Sequence, residues 1–196
     1  MASLFRVTLD PMRYSSKPSA GDVSAITRRM QRAGAVEVGC EEFCEAVRRG
    51  STFCGGCYEP CHDRWGAFRS MQICAIDVDN SAEIIGADGQ PVKGAKRPLF
   101  PGEVNYLDYA GGFERCADLG LQPLAMYQTM SAREYWPKYR IVLDLGEAIE
   151  DEQAAGDVLQ TLLGMFPEAD QSCSNLNRLF YGSNGTVWEC WRGERP

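Results

Sequence analysis

No stretch of this 196-residue chain approaches the roughly 20 consecutive apolar residues needed to cross a bilayer as a helix. The opening "MASLFRVTLDPMRY" has no basic, apolar and small-residue series of the kind a signal peptide needs. Both absences lead to the expectation of a cytoplasmic protein with no membrane partner. Positive charge is also scarce. The net charge is −7, and it is unevenly placed. Residues 1–70 carry ten Lys/Arg against eight Asp/Glu, and the remainder carries ten against nineteen. Such a chain does not grip duplex DNA by charge alone, so any nucleic-acid chemistry needs divalent metal to offset part of the acidity or another chain to supply affinity. There are no internal repeats and no low-complexity tracts. The length suits one domain with a core that needs no staples.

Cysteine, in contrast, is plentiful. There are nine, an odd number, and without a secretory signal they are expected as free thiols or metal ligands rather than disulfides. The segment "CGGCYEPCH" supplies Cys54, Cys57, Cys61 and His62 at C-x2-C-x3-C-H spacing. That makes a candidate Zn²⁺ site, with Cys40 or Cys44 as the other possible completing ligands. Free thiols in a loop are the alternative. Cys74, Cys116, Cys173 and Cys190 are expected in the core.

Hydrophobic patterning gives an α/β (α+β) chain whose hairpins imply a mixed or antiparallel sheet with flanking helices. "LFRVTL" alternates as a strand. "DVSAITRRMQRAG" is predicted helical with Asp22 as N-cap, and "EEFCEAVRRG" as a second helix closed by Gly50. Residues 51–70 are expected to be irregular, and "NSAEIIGADGQPVKGAKRPLFPGE" to be a surface insertion. "MQICAID" is a strand buried on both faces. "VNYLDYAGGFERCADLG" is helical, "PLAMYQT" and "KYRIVLDL" are strands, and "EDEQAAGDVLQTLLGMF" is the clearest amphipathic helix. Asn184-Gly185 signals a hairpin between two short strands. The chain divides into a strand and helices over 1–50, a Cys-rich segment over 51–70 and a core over 71–185.

The sharpest chemical signal is "QICAIDVDN". Side chains alternate along a strand, so Asp77 and Asp79 share a face and repel unless a cation lies between them. Hard oxygen donors of this kind suit Mg²⁺ or Mn²⁺. Asp170, in "FPEADQSC", is a candidate third carboxylate. Ser131, Lys138 and Arg140 in "YQTMSAREYWPKYRIVL", together with Arg178, are candidate phosphate-holding groups. Of the aromatic residues Trp65, Phe68, Tyr135, Trp136, Trp188 and Trp191, most are expected in the core, and Trp136 is the best candidate for stacking on a base.

In this order, strand-D-x-D, then "YQTMS" running to "PKYRIVL", then "FPEADQSC" running to "RLFYG", the sequence resembles the archaeo-eukaryotic primase superfamily. The resemblance is to the primase-polymerase domains of bacterial phages and mobile elements, and it covers about residues 50–185. It implies a single catalytic domain with an RRM-like core. The implied activity is metal-dependent nucleotidyl transfer by a DNA primase or polymerase in a bacterial or phage-infected cytoplasm. Asp77, Asp79 and Asp170 would hold Mg²⁺ or Mn²⁺. Nucleoside triphosphates, a single-stranded DNA template and a replicative helicase would be the partners. The family's second motif usually carries Ser-x-His. Here the serine is Ser131, the histidine position is Ala132, and the sole histidine is His62 far upstream. Arg133, Lys138 or Arg140 would have to take over the phosphate contact. The alternatives are a catalytically degenerate relative that binds nucleic acid or a replication partner, and a different D-x-D enzyme such as a nucleotide-sugar transferase.

Overall fold

The alternation that begins at Leu4 continues through ten residues and opens the architecture. In the computed structural model, which describes residues 4–196, the chain runs β1 (Leu4–Arg13), α1 (Ala20–Ala33), β2 (Val36–Gly39), α2 (Cys40–Arg48), β3 (Ser51–Cys54), β4 (Gly56–Tyr58) and β5 (Phe68–Val78). It continues through β6 (Ser81–Ile85), β7 (Pro91–Pro98), α3 (Tyr109–Asp118), β8 (Pro123–Gln128), β9 (Tyr139–Ile149), α4 (Glu152–Met165) and β10 (Val187–Trp188). A short 3-10 turn follows at Cys190–Arg192. No described helix is long and apolar enough to cross a membrane.

The main sheet has the order β10-β8-β9-β5-β4, and a smaller sheet has the order β2-β1-β3. Every pairing is antiparallel. β5 and β8 both run against β9, so they are parallel to each other and the connection through α3 crosses over β9.

Alternation then sorts the core into two layers. Cys74, Ile76 and Val78 of β5 pack with Tyr139, Ile141 and Leu143 of β9 and with Ala155, Leu159, Leu162 and Leu163 of α4. Ile73 and Ala75 face the other way, with Tyr127, Val142, Phe5, Val7, Phe43 and Phe53. β5 is therefore buried on both faces, as its unbroken apolar run predicts, and each Ile so covered contributes roughly 1.5–3 kcal/mol. Asp77 is the next residue in the Ile73–Ala75 series. It emerges on that face at the end of the strand.

Several local expectations are corrected. α1 starts earlier than predicted. Ser19 is the N-cap and Asp22 is the third helical residue of a capping box, accepting from the Ser19 N–H at 2.9 Å. Within residues 51–70 the irregular chain is confined to 59–67, because β3 and β4 occupy most of 51–58 and β5 begins at Phe68. A Cβ on Gly55 would lie 2.3 Å from the Ile73 carbonyl oxygen, and one on Gly56 would lie 2.5 Å from that of Leu176. Those glycines mark close backbone approach, not a loop. The surface insertion is an exposed β6–β7 hairpin. The hairpin around Asn184-Gly185 does not form, because its two arms take different partners. Phe180 bridges to Phe53, while Val187 and Trp188 pair with β8.

Candidate metal and phosphate site

Register sets up the site. Asp77 on β5 lies directly opposite Arg140 on β9, and Arg140 lies opposite Tyr127 on β8. All three side chains point to the same face. Arg140 Nη1 donates to the Tyr181 carbonyl at 2.6 Å and to the Tyr127 hydroxyl at 3.3 Å, and Tyr127 Oη donates to the same carbonyl at 3.1 Å. Arg140 Nε lies 2.9 Å from Asp77 Oδ1, with only 9% of the arginine side chain and 13% of the aspartate exposed. That buried N–H is not aligned on any acceptor. Burial by itself would lower the Arg140 pKa, but Asp77 and Tyr127 more than offset it and hold the guanidinium charged.

Asp170 arrives from the chain beyond α4. Ala169 bridges to Val78, and the Asp170 N–H donates to the Asp77 carbonyl at 2.8 Å. This brings the third predicted acid beside the first. One carboxylate oxygen of Asp77, one of Asp170 and Cys173 Sγ all lie within 4.8 Å of one another. A tight turn makes Cys173 part of the group: its N–H donates to the Asp170 carbonyl at 3.0 Å. Burial pushes the Cys173 thiol up to about 12, and the Asp77 charge adds to the effect.

Asp79 stands just past the end of β5. Its Oδ1 accepts from Lys138 Nζ at 3.1 Å and its Oδ2 from Lys96 Nζ at 3.4 Å. Burial pushes its carboxyl up, but Lys138 and then Lys96 outweigh this and hold it below the usual carboxylate range. Lys138 and Arg140 thus share a face, as alternation predicts, and in this arrangement each pairs with one aspartate of the D-x-D.

The residue after the D-x-D is the mechanical anchor. Asn80 is 1% exposed and adopts φ of 43°. Its amide donates at 2.8 Å to the carbonyls of Leu107 and Pro137, and its Oδ1 accepts the Leu107 N–H at 2.9 Å. One side chain therefore ties the end of β5 to the approaches of α3 and β9. Trp136 adds a bond from its indole N–H to the Asp79 carbonyl at 3.0 Å, and the Lys138 ammonium covers its ring at 4.1 Å. Trp136, the expected stacking residue, therefore has its N–H and one face engaged and is half-buried. Tyr135, 67% exposed, is the open aromatic of this connection.

These groups surround a cleft of about 500 Å³ lined by Asp77, Asp79, Asp170, Thr129, Ser131, Arg140 and Arg178. Lys17 and Lys96 line it as well, and neither was marked by sequence reasoning. Lys17 sits in the loop before α1 and Lys96 on an exposed hairpin, so no local motif pointed to them. Asn80 did carry a signal, its position directly after the two acids. Ala132 donates its N–H to the Thr129 carbonyl in a tight turn, and Arg133 is exposed with its guanidinium on the Ala132 carbonyl at 2.7 Å. The donor set fits a divalent cation: two converging carboxylates, a thiol, and a third carboxylate on the same cleft.

The cysteine cluster does not assemble. The Asp77, Asp170 and Cys173 set is the one metal-competent group among the described residues. Cys54 packs with Ile26, Met30 and Tyr58, and its thiol lies 3.2 Å from the Leu176 carbonyl. Cys40 and Cys44 pack with Phe5 and Phe43. Cys57 is buried on β4, Cys61 is half-buried and His62 is exposed on the following loop. Strand formation across 51–58 separates the ligands that a loop would have gathered. All nine cysteines are free. Comparison of the chain with family models, curated proteins and solved structures found no match.

Proposed function

We propose that the chain is a metal-dependent nucleotidyltransferase, a primase-polymerase domain that uses nucleoside triphosphates on a single-stranded DNA template. The observation that carries this reading is the composition of one cleft. Three carboxylates from two separate segments share it with Lys17, Lys96, Arg140 and Arg178, in a protein whose net charge is −7. Acids alone would suit a bare cation, and bases alone would suit a simple anion. Both together suit a polyphosphate that arrives with metal.

Asp77, Asp79 and Asp170 are the groups that would hold Mg²⁺ or Mn²⁺, which when bound lowers the pKa of an attacking hydroxyl and offsets charge on a leaving pyrophosphate. Arg178 and Lys17 line the cleft without an ion pair among the described residues, so they are free to take phosphate oxygens. Arg140 keeps Asp77 in place on the strand and adds positive charge to the wall. Tyr135 offers an exposed ring for a template base. The RRM-like core is supported by the crossover from β5 through α3 to β8 with β9 between them. The last strand departs from that plan, because β4 occupies the place beside β5 and β10 joins the opposite edge.

A second reading has its own support. The D-x-D aspartates are already paired with Arg140, Lys138 and Lys96, and Ala132 stands at the second-motif position. A degenerate relative that binds nucleic acid or a helicase would carry such a site. Incorporation of labelled nucleotides on a single-stranded template with Mn²⁺ or Mg²⁺ separates the two.

A further inference from the structure

We propose that Lys96 is an exchangeable counter-ion of Asp79, which releases the carboxylate to take a phosphate oxygen when metal and polyphosphate enter the cleft. The proposal rests on the cleft taking metal with polyphosphate, and not on the transfer reaction itself. Asp79 is shared by two lysines, one on each carboxylate oxygen. Each oxygen keeps a further lone pair, but two ammonium groups at that range repel a divalent cation. One of them has to withdraw for Asp79 to act as a ligand.

The two lysines are held very differently. Lys138 Nζ lies 3.1 Å from Asp79 Oδ1, 3.5 Å from Ser81 Oγ and 4.1 Å from the centre of the Trp136 ring, with 11% of its side chain exposed. The Lys138 carbonyl also accepts the Thr129 N–H at 2.9 Å, which fixes its backbone beside the end of β8. Among the described residues Lys96 Nζ has one partner, Asp79 Oδ2 at 3.4 Å, and 49% of its side chain is exposed. An ion pair this long and this exposed is weak. Its strand, β7, pairs with β6 alone. Lys96 is therefore the lysine that withdraws.

The direction of the side chain supports this role. In the hairpin register Lys96 stands opposite Glu83, the carboxylate a cross-strand pair would offer it. Its ammonium pairs instead with Asp79. Lys96 also lines two spaces, the cleft of about 500 Å³ and a hollow of about 200 Å³ that it shares with Asp79, Glu168 and Asp170. The hollow is acidic and suits no anion, whereas the cleft carries Lys17, Arg140 and Arg178. A compact ammonium on a flexible four-carbon stem can turn from Asp79 toward that wall by side-chain rotation. Beside a divalent cation Lys96 is repelled from Asp79, and phosphate oxygens supply it with a new acceptor.

The test measures binding of inorganic tripolyphosphate to the full chain by calorimetry, in chelator, so that neither metal nor transfer enters. Asp79→Asn releases Lys96 without metal and should tighten binding by about fivefold. Lys96→Met keeps most of the stem and removes the charge. In that background Asp79→Asn should gain less than about twofold, because the released ammonium is gone. A second readout carries the test if Asp79→Asn fails to fold by circular dichroism. Mn²⁺ binding, followed by electron paramagnetic resonance, should tighten by about two- to fivefold in Lys96→Met and stay unchanged in Lys93→Met on the same hairpin. Equal gains from Asp79→Asn with and without Lys96, no tripolyphosphate binding by any variant, or a Mn²⁺ affinity that Lys96→Met leaves unchanged or Lys93→Met alters as much overturns the proposal. Nucleotide incorporation alongside any of these results leaves the transfer reading standing without the exchange. Coupling between Asp79 and Lys96 without incorporation leaves the exchange standing and removes the transfer reading.

Discussion

Arg140 Nε and Asp77 Oδ1 lie 2.9 Å apart across directly paired positions of β9 and β5, with both side chains largely buried. Removing one partner strands the other charge. Arg140→Met should therefore destabilise the fold by about 3 kcal/mol. The double variant Arg140→Met with Asp77→Asn should recover part of that loss, because the orphaned carboxylate is gone. Urea unfolding of the two single variants and the double variant measures the coupling. Strict additivity would mean that the pair is not energetically joined.

Asp79 gives a pH dependence with a definite sign. Lys138 and Lys96 hold its folded carboxyl below the usual range, overcoming the opposing effect of burial. A depressed carboxyl contributes stability that is present above its unfolded pKa and is lost as pH falls through the folded value. Stability should thus decline below about pH 4 with a contribution absent from Asp79→Asn. At neutral pH that substitution should cost about 1 kcal/mol rather than relieve repulsion, since the lysines already neutralise the acid. Thermal melts of both proteins between pH 3 and 7 check the difference. Equal slopes would contradict it.

Asn80 is the residue on which the geometry of the D-x-D most depends. Asn80→Ala removes three hydrogen bonds to the backbone at Leu107 and Pro137 and leaves buried polar groups unpaired, at about 1–3 kcal/mol. Asn80→Gly keeps access to the positive φ but not the side chain. It should be destabilised by nearly as much, which chemical denaturation can show. If Asn80→Gly is as stable as the wild type, the backbone conformation is what matters and not the clamp.

The thiols sort cleanly. Backbone N–H groups, chiefly that of Asp63, lower the Cys61 pKa, whereas burial is the first cause raising those of Cys40, Cys44, Cys54, Cys57, Cys74, Cys116, Cys173 and Cys190. Mild iodoacetamide treatment near neutral pH should label Cys61 first, as peptide mass mapping would reveal. Protection of Cys61 that is lifted by a chelator would restore the zinc site that the fold argues against.

How far the sequence carries the fold depends on where each signal lies. β5, β8, β9 and α4 are written in local periodicity, and the structure follows it. The acids were legible for the same reason: alternation puts Asp77 beside the strand end, and Asp170 follows a well-marked helix. The start of α1 was misplaced because Ser19 and Asp22, three residues apart, are both good N-caps and only the reciprocal bonds decide between them. Cys54 and Cys57 read as ligands because their spacing is local, but Cys54 is enclosed by Leu176 and α1 and Cys57 is paired into the sheet opposite Ser70, all far along the chain. Lys17 and Lys96 reach the cleft through tertiary placement alone. Asn184-Gly185 has the chemistry of a hairpin turn, yet its flanks are drawn to β3 and β8.

The most direct measurement is metal-dependent incorporation of labelled nucleotides on a primed or unprimed single-stranded DNA template, run on the wild type and on Asp170→Asn with matched circular dichroism. The expected result is extension by the wild type with Mn²⁺ or Mg²⁺, lost with chelator. It should be reduced by at least about a thousandfold in Asp170→Asn, several kcal/mol of transition-state stabilisation. No incorporation by the folded wild type with either metal, or incorporation that Asp170→Asn leaves unchanged, would contradict the account.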